Sequence, residues 1–165
     1  MFELIISAVI PLLIALVTVY LDRFLSARKE RKQILGSIFS EIESNLSIIQ
    51  QLKKHFQLAK EALKSHGILT VPLFTLHEES MKFAQTRGLM FMLDKENYGA
   101  IVTAYVMISN VNQCINNYEA LKLVPLGDRE SLWNNIIGVV EQRFVQLEPL
   151  LIKIHEDLRK TLRYD

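Results

Sequence analysis

The feature that most constrains this chain is a run of uncharged residues at positions 4–21. It reads LIISAVIPLLIALVTVYL and lies between Glu3 and Asp22. A helix that crosses hydrocarbon about 30 Å thick needs roughly 20 apolar residues. A lone span must be helical, because each unpaired backbone group in lipid costs several kcal/mol. The run therefore predicts a transmembrane anchor over residues 1–22, with the lipid bilayer as its partner.

Two other interpretations of the run are less consistent with the sequence. A cleaved signal peptide requires a basic segment before the apolar run and small residues at a cleavage site. Neither feature is present, since Glu3 precedes the run and Tyr20, Leu21 and Asp22 close it. A buried helix of a globular protein normally keeps a polar stripe, which this run lacks.

Basic residues lie on one flank of the run only. They occur in a segment at residues 23–33 and are Arg23, Arg28, Lys29, Arg31 and Lys32. Lys and Arg concentrate on the cytoplasmic side of a span. We therefore expect a single-pass protein of the inner cell membrane, with the N-terminus outside and the C-terminal domain in the cytoplasm. The same residues either bind anionic headgroups or serve only to stop transfer.

Small and weakly polar residues recur along the run at helical spacing. They are Ser7, Pro11, Ala15, Thr18 and Asp22. At about 100° per residue they fall within one arc of a helix, and small residues let helices approach closely in lipid. The arc predicts a packing face for self-association or a pore lining, the alternative being chance spacing and a kink at Pro11.

The remaining residues, 34–165, are long enough for one domain with its own core. The net charge is +1, which gives no indication of nucleic-acid binding. Cys114 is the only cysteine, so a disulfide within the chain is excluded.

Apolar residues predict an all-α fold in this domain. They recur at steps of three and four from Leu35 to Leu63, from Ile101 to Tyr118 and from Trp133 to Leu162. Thr75 and Glu78 have the spacing of a capping box, which predicts a short helix ending near Thr86. We expect one N-terminal transmembrane helix that continues into a cytoplasmic antiparallel bundle of three long helices and one short helix.

Known catalytic and metal-binding motifs are missing from the sequence. It contains no phosphate-binding glycine loop, no nucleophile elbow and no His pair at zinc-ligand spacing. We expect no enzymatic activity, no cofactor and no metal site.

Amide and phenol side chains are concentrated on one face of the helix near residues 95–122. They are Tyr98, Tyr105, Ser109, Asn112 and Asn116. Such groups donate and accept hydrogen bonds, which suits a small polar ligand or a partner helix. The alternative is a face that is solvated or satisfied within the bundle.

Two stretches, EIESNLSIIQQL at residues 41–52 and FTLHEESMKFAQTRGLMFMLDKENYGAIVTAYVMISNVN at residues 74–112, complete this layout. The chain resembles uncharacterised single-pass membrane proteins of prokaryotes and their phages. The resembling residues are Glu41, Asn45, Gly88, Leu89, Leu93, Tyr98, Tyr105 and Asn112, and the chain departs from that pattern at Arg87. The resemblance implies an α-helical cytoplasmic domain and no assigned catalytic residues.

Two functional hypotheses follow. The first is a non-enzymatic, membrane-anchored helical module that forms a homo-oligomer or docks a partner in a membrane complex. The second is an antiviral or toxin-like membrane effector, whose cytoplasmic domain senses a signal and whose assembled spans perturb the membrane.

Overall fold

The structure is a computed structural model that describes residues 2–66, 73–87, 95–120 and 126–164. Side chains are described within those ranges except at residues 2–10, 59, 62–66, 95–97, 118–120, 126–130 and 164. The described part of the chain is helical and contains no strand. Its helices are α1 (Phe2–His66), α2 (Glu79–Thr86), α3 (Lys95–Ala120) and α4 (Leu126–Tyr164). The predicted all-α fold with three long helices and one short helix is confirmed for these residues.

Helix α1 continues through Pro11 and α4 continues through Pro149 as single elements. The predicted continuity of the N-terminal helix with the bundle is thus confirmed. Gly67 and Asp94, which the sequence favours as helix-capping residues, lie outside the described residues.

The core of the bundle lies between the apolar stripes of α1, α3 and α4. Its fully buried large side chains include Phe56 and Phe144, whose ring centroids are 6.3 Å apart. Complete burial of each such side chain contributes roughly 1.5–3 kcal/mol. The first buried residue in the described part of α1 is Ile34.

Two ion pairs fix the relative direction of α1 and α4. Lys53 pairs with Glu148, and Lys60 pairs with Glu141 at 2.5 Å. From Lys53 to Lys60 the residue number rises by seven along α1, whereas from Glu148 to Glu141 it falls by seven along α4. The two helices are therefore antiparallel.

Helix α3 runs parallel to α1. Glu41 of α1 bonds to Tyr105 of α3. One turn further along α1, Asn45 bonds to His77, and further along α3, Asn112 bonds to the adjacent residue Leu76. Contacts thus advance along both helices in the same direction. The chain returns along α1 through residues 73–78, here called the return segment, and through α2. The predicted path was therefore wrong in one respect, because it placed the three long helices antiparallel in succession.

The predicted capping box was also wrong. Helix α2 begins at Glu79, and its N-cap residue Glu78 makes no side-chain cap hydrogen bond. Thr75 lies in the return segment, four residues before the helix. The reason is tertiary, since the backbone groups of Leu76 and His77 bond to side chains of other helices instead of starting a helical turn.

The predicted localisation is contradicted. No helix in the described ranges carries an apolar stretch long enough to cross a membrane.

The single-pass inner-membrane placement is corrected with it, and the transmembrane character of α1 is not supported. The anchor bounds at residues 1–22, the lipid bilayer as partner and the headgroup role of the basic segment stay predictions. The alternative function as a membrane effector also stays a prediction.

Candidate functional site

Two buried asparagines hold the return segment between α1 and α3. Asn112 accepts a hydrogen bond from the backbone N–H of Leu76 at 2.7 Å and donates one to the carbonyl of Leu76 at 2.8 Å. Asn45 makes the same pair with His77, at 2.7 Å to the N–H and 2.9 Å to the carbonyl. Each amide thereby replaces the ladder partner that an extended residue would find in a sheet.

These bonds explain why polar side chains are tolerated in the core. Asn45 is fully buried and Asn112 is 8 % exposed. A buried amide or backbone group without a partner costs about 1–3 kcal/mol, and four backbone groups and two side chains satisfy one another here. The contacts are made to the backbone, so they fix the path of the segment, while the side chain of Leu76 enters the core.

Glu41 closes the same site from the side of α1. Its Oε2 accepts a hydrogen bond from the backbone N–H of Ser80 at 2.8 Å, and its Oε1 accepts one from the hydroxyl of Tyr105. The first bond satisfies an N–H in the first turn of α2, the role that a local capping side chain would otherwise play. We refer to Glu41, Asn45, Tyr105 and Asn112 as the polar clamp.

The clamp changes the acidity of its tyrosine. Burial, and then the hydrogen bond with Glu41, raise the pKa of the Tyr105 hydroxyl well above its usual value near 10. The phenol is therefore a neutral donor at physiological pH. Both oxygens of Glu41 accept hydrogen bonds within the bundle, which makes this carboxylate a structural acceptor.

The structure divides the predicted ligand face into two groups. Tyr105 and Asn112 are buried and belong to the clamp, whereas Tyr98, Ser109 and Asn116 are exposed. The face is thus not presented as one surface. A ligand or partner at the three exposed residues stays a prediction.

Glu41 and Asn45, the clamp residues on α1, were not among the candidate site residues predicted from the sequence. Asn45 takes a core position in the series Ile38, Ile42, Asn45, Ile49 and Leu52, with steps of four, three, four and three. This spacing is the signal that could have identified it, because a polar residue at a seam position requires a specific partner. The spacing of apolar residues alone predicts Leu46 in that seam, but Leu46 is only partly buried.

The second feature is the arm, defined here as residues 11–30 of α1, in which every side chain is exposed. Its large apolar side chains are all at least half exposed: Leu12, Leu13, Ile14, Leu16, Val17, Val19, Tyr20, Leu21, Phe24 and Leu25. Successive residues point about 100° apart on a helix, so these side chains cover about two thirds of the circumference of the arm, and Pro11, Ala15, Thr18 and Asp22 occupy the remaining arc.

The predicted packing face lies on the arm. Pro11, Ala15, Thr18 and Asp22 are exposed, and the side chain of Ser7 lies outside the described residues. Thr18 donates its hydroxyl hydrogen bond to the carbonyl of Ile14 at 2.8 Å. Its polar group is therefore satisfied within the helix, so Thr18 can contact an apolar partner surface without losing a hydrogen bond.

The basic residues of the segment at 23–33 also occupy the solvent-facing part of α1. Arg23, Arg28, Lys29 and Lys32 are exposed, and Arg31 is half-buried.

An open groove of about 990 Å³ lies between α1 and α2. Its walls carry carboxylates, hydroxyls and two apolar side chains. They include Glu30, Gln33, Ile34 and Ser40 of α1, and Glu79 and Phe83 of α2. Phe83 is 53 % exposed, and Glu30 and Glu79 are exposed carboxylates.

Within the described residues, no three His, Cys, Asp or Glu side chains come together as a metal site would require. Cys114 is half-buried and packs against the core.

Comparisons with known proteins found no match to a family model, to a curated protein or to a solved structure. The resemblance described from the sequence therefore stays a prediction.

Proposed function

We propose that this protein is a non-enzymatic helical module that self-associates through the arm of α1. The observation that carries the proposal is the exposure of ten large apolar side chains within residues 12–25. Monomeric proteins rarely expose a contiguous apolar surface of more than a few hundred Å². A second copy of the chain brings an equally apolar arm, so that pairing removes both surfaces from water.

The polar clamp supports a structural function for the bundle. Its carboxylate accepts hydrogen bonds from its phenol and from the backbone N–H of Ser80, and its two amides bond to the backbone of the return segment. A general base or nucleophile must instead reach a substrate from an accessible position. The clamp therefore stabilises the platform from which the arm extends.

Sedimentation velocity on the full chain over a range of concentrations tests this function. We expect a concentration-dependent oligomer for the natural sequence. In the double variant Leu12→Gln/Leu16→Gln, a dimer loses four leucines, two from each copy. Each leucine contributes roughly 1.5 kcal/mol when it is buried at an interface, and 1.4 kcal/mol corresponds to a factor of ten. The dissociation constant should therefore rise by about four orders of magnitude.

The matched control is Val145→Gln/Ile152→Gln on α4, which also replaces two exposed apolar residues. It should leave the dissociation constant unchanged. A natural chain that sediments as a monomer at every concentration contradicts self-association. Such a result would favour docking of a different protein on the arm.

A further inference from the structure

We propose that the arm pairs with the arm of a second copy in the antiparallel direction, through the side of α1 that faces the core of the bundle. This inference rests on the proposed function and names the face and the direction of the pairing. One two-fold axis then relates the two copies, which is the usual symmetry of a homodimer.

The apolar surface of the arm continues the core surface of α1. Five turns of an α-helix contain about eighteen residues, so residues with that separation lie on the same side of the helix. Four large apolar residues of the arm have this separation from a buried core residue: Leu16, Val17, Tyr20 and Phe24 precede Ile34, Leu35, Ile38 and Ile42, respectively. The four arm residues are all more than half exposed. One apolar side of α1 is therefore covered in the bundle and uncovered in the arm.

The helices that cover this side of α1 stop before the arm. At equal rise per residue, the two ion pairs between α1 and α4 place the end of α4 level with about residue 37 of α1. The bond of Glu41 to Tyr105 places the start of α3 level with about residue 31. Within residues 11–30 every side chain is exposed. A second arm on this side would supply the cover that α3 and α4 provide in the bundle.

The spacing of apolar residues on this side gives the register. Leu13, Val17, Tyr20 and Phe24 follow one another at steps of four, three and four, the spacing of a coiled-coil seam. The midpoint of this seam, between residues 18 and 19, is also the midpoint of the apolar run 12–25. With the two-fold axis there, Leu13 of one copy lies opposite Phe24 of the other, and Val17 lies opposite Tyr20.

The bundle excludes the parallel direction on this side. In a parallel pair, α1 of the second copy would continue past Ile34 into the space that α3 and α4 of the first copy occupy. In the antiparallel register, Ile34 of one copy is level with residue 3 of the other, so the two bundles lie at opposite ends of the paired arms. The overlap is then confined to the part of α1 that precedes the bundle.

The basic residues are also compatible with this register. Arg23 is level with Ile14 of the second copy, and Arg28 and Lys29 are level with residues 9 and 8, which are uncharged. A parallel pair would instead place each basic residue level with its equivalent, and like charges in contact are destabilising.

Cross-linking between single cysteines tests the direction and the register. In a chain with Cys114→Ala, the variants Leu13→Cys and Phe24→Cys are made separately, mixed and allowed to exchange before a short bis-maleimide is added. We expect a covalent dimer from the mixture. Equivalent residues of the two copies are about 17 Å apart along the helix axis, so each variant alone should give little product. Product from Leu13→Cys alone, without the mixed product, indicates parallel pairing and overturns the inference.

The matched control for the face is a mixture of Ala15→Cys and Asp22→Cys. These two residues are level with each other in the same register, but they lie on the opposite, polar arc of the arm. The control mixture should therefore give little product. Product from this mixture in place of the Leu13→Cys and Phe24→Cys mixture would show pairing through the polar arc. It would overturn the inference and leave self-association intact.

Small-angle X-ray scattering of the natural chain provides a second readout. The antiparallel dimer should have a maximum dimension of about 140 Å, the distance between the two His66 ends at 1.5 Å per residue. A dimer with parallel α1 helices would measure about 100 Å, the length of one α1 helix. A dimer of the shorter length overturns the inference and leaves the proposed function intact, whereas a strict monomer at every concentration overturns both.

Discussion

Asn45 of α1 and Asn112 of α3 hold consecutive residues of the return segment, Asn45 at His77 and Asn112 at Leu76. The return segment is therefore hydrogen-bonded on both sides, to α1 on one and to α3 on the other. It occupies the position that a direct contact between those two helices would otherwise take.

Removal of one amide should destabilise the fold strongly. Asn112→Ala leaves the N–H and the carbonyl of Leu76 buried without partners, at about 1–3 kcal/mol each. We expect the free energy of unfolding, measured by urea titration with circular dichroism, to fall by roughly 2–4 kcal/mol. Asn116→Ala, four residues further along α3 and exposed, is the control and should change it by less than about 0.5 kcal/mol. Equal effects of the two substitutions would contradict the clamp.

The two asparagines should be energetically coupled. Once either amide is lost, the return segment is held from one side only, so loss of the second costs less. A double-mutant cycle with Asn45→Ala and Asn112→Ala should give a coupling energy of about 1 kcal/mol or more, as for residues in one network. Strict additivity within about 0.3 kcal/mol would show that the two sides of the segment act independently.

The clamp tyrosine should make stability depend on alkaline pH. The pKa of Tyr105 is raised by burial and by Glu41, so the folded state retains a proton that the unfolded state loses above pH 10. The unfolded state then binds fewer protons, and stability falls as pH rises, by up to about 1.4 kcal/mol per pH unit.

The test of that prediction is the difference in unfolding free energy between pH 9 and pH 11. Tyr105→Phe should lower stability at pH 9 by about 1–3 kcal/mol, because Oε1 of Glu41 loses its donor. The same variant should lose less stability than the natural chain on going to pH 11. Tyr98→Phe, at an exposed tyrosine of the same helix, is the control and should preserve the natural pH dependence. Identical losses for the natural chain and Tyr105→Phe would contradict the assignment.

His155 of α4 should accept an apolar ring. It stacks on Phe39 of α1 with a centroid distance of 4.4 Å and an interplanar angle of 19°, and its Nε2 is buried without a hydrogen-bond partner among the described residues. His155→Phe retains the stacking and removes the unsatisfied nitrogen, so thermal unfolding should show equal or higher stability, by up to about 1 kcal/mol.

The comparison variant for this site is His155→Ala, which removes the ring and should cost about 1–3 kcal/mol through lost packing. A clear loss of stability in His155→Phe relative to the natural chain would show that the nitrogen has a polar role.

The periodicity of apolar residues predicted the helices and most of the core. Ile101, Ala104, Ile108, Val111 and Ile115 were all placed inward by their spacing and are buried. Such positions are predictable because a helix repeats every 3.6 residues whatever its neighbours are. The direction of α3 was not predictable in this way, since a period does not specify which end of a helix meets which partner.

The clamp was harder to predict because its partners are distant in sequence. Asn45 and His77 are 32 residues apart, and Glu41 and Tyr105 are 64 residues apart. The local pattern at Thr75 and Glu78 favoured a capping box, and the tertiary hydrogen bonds at Leu76 and His77 outweighed it. The polar residues of α3 were identified from sequence as adaptable hydrogen-bonding groups, but the sequence did not show that two of them bond within the fold.

The uninterrupted course of α1 also has a mechanical consequence. The helix is continuous from Phe2 to His66. Pro11 lies about 35 Å along it from Ile34, the first residue of its described part that is buried in the bundle. Rotation of the bundle by 10° would displace Pro11 by about 6 Å, because a stiff rod amplifies angle into distance. A small change in the tilt of the bundle therefore produces a larger displacement at the Pro11 end of the arm.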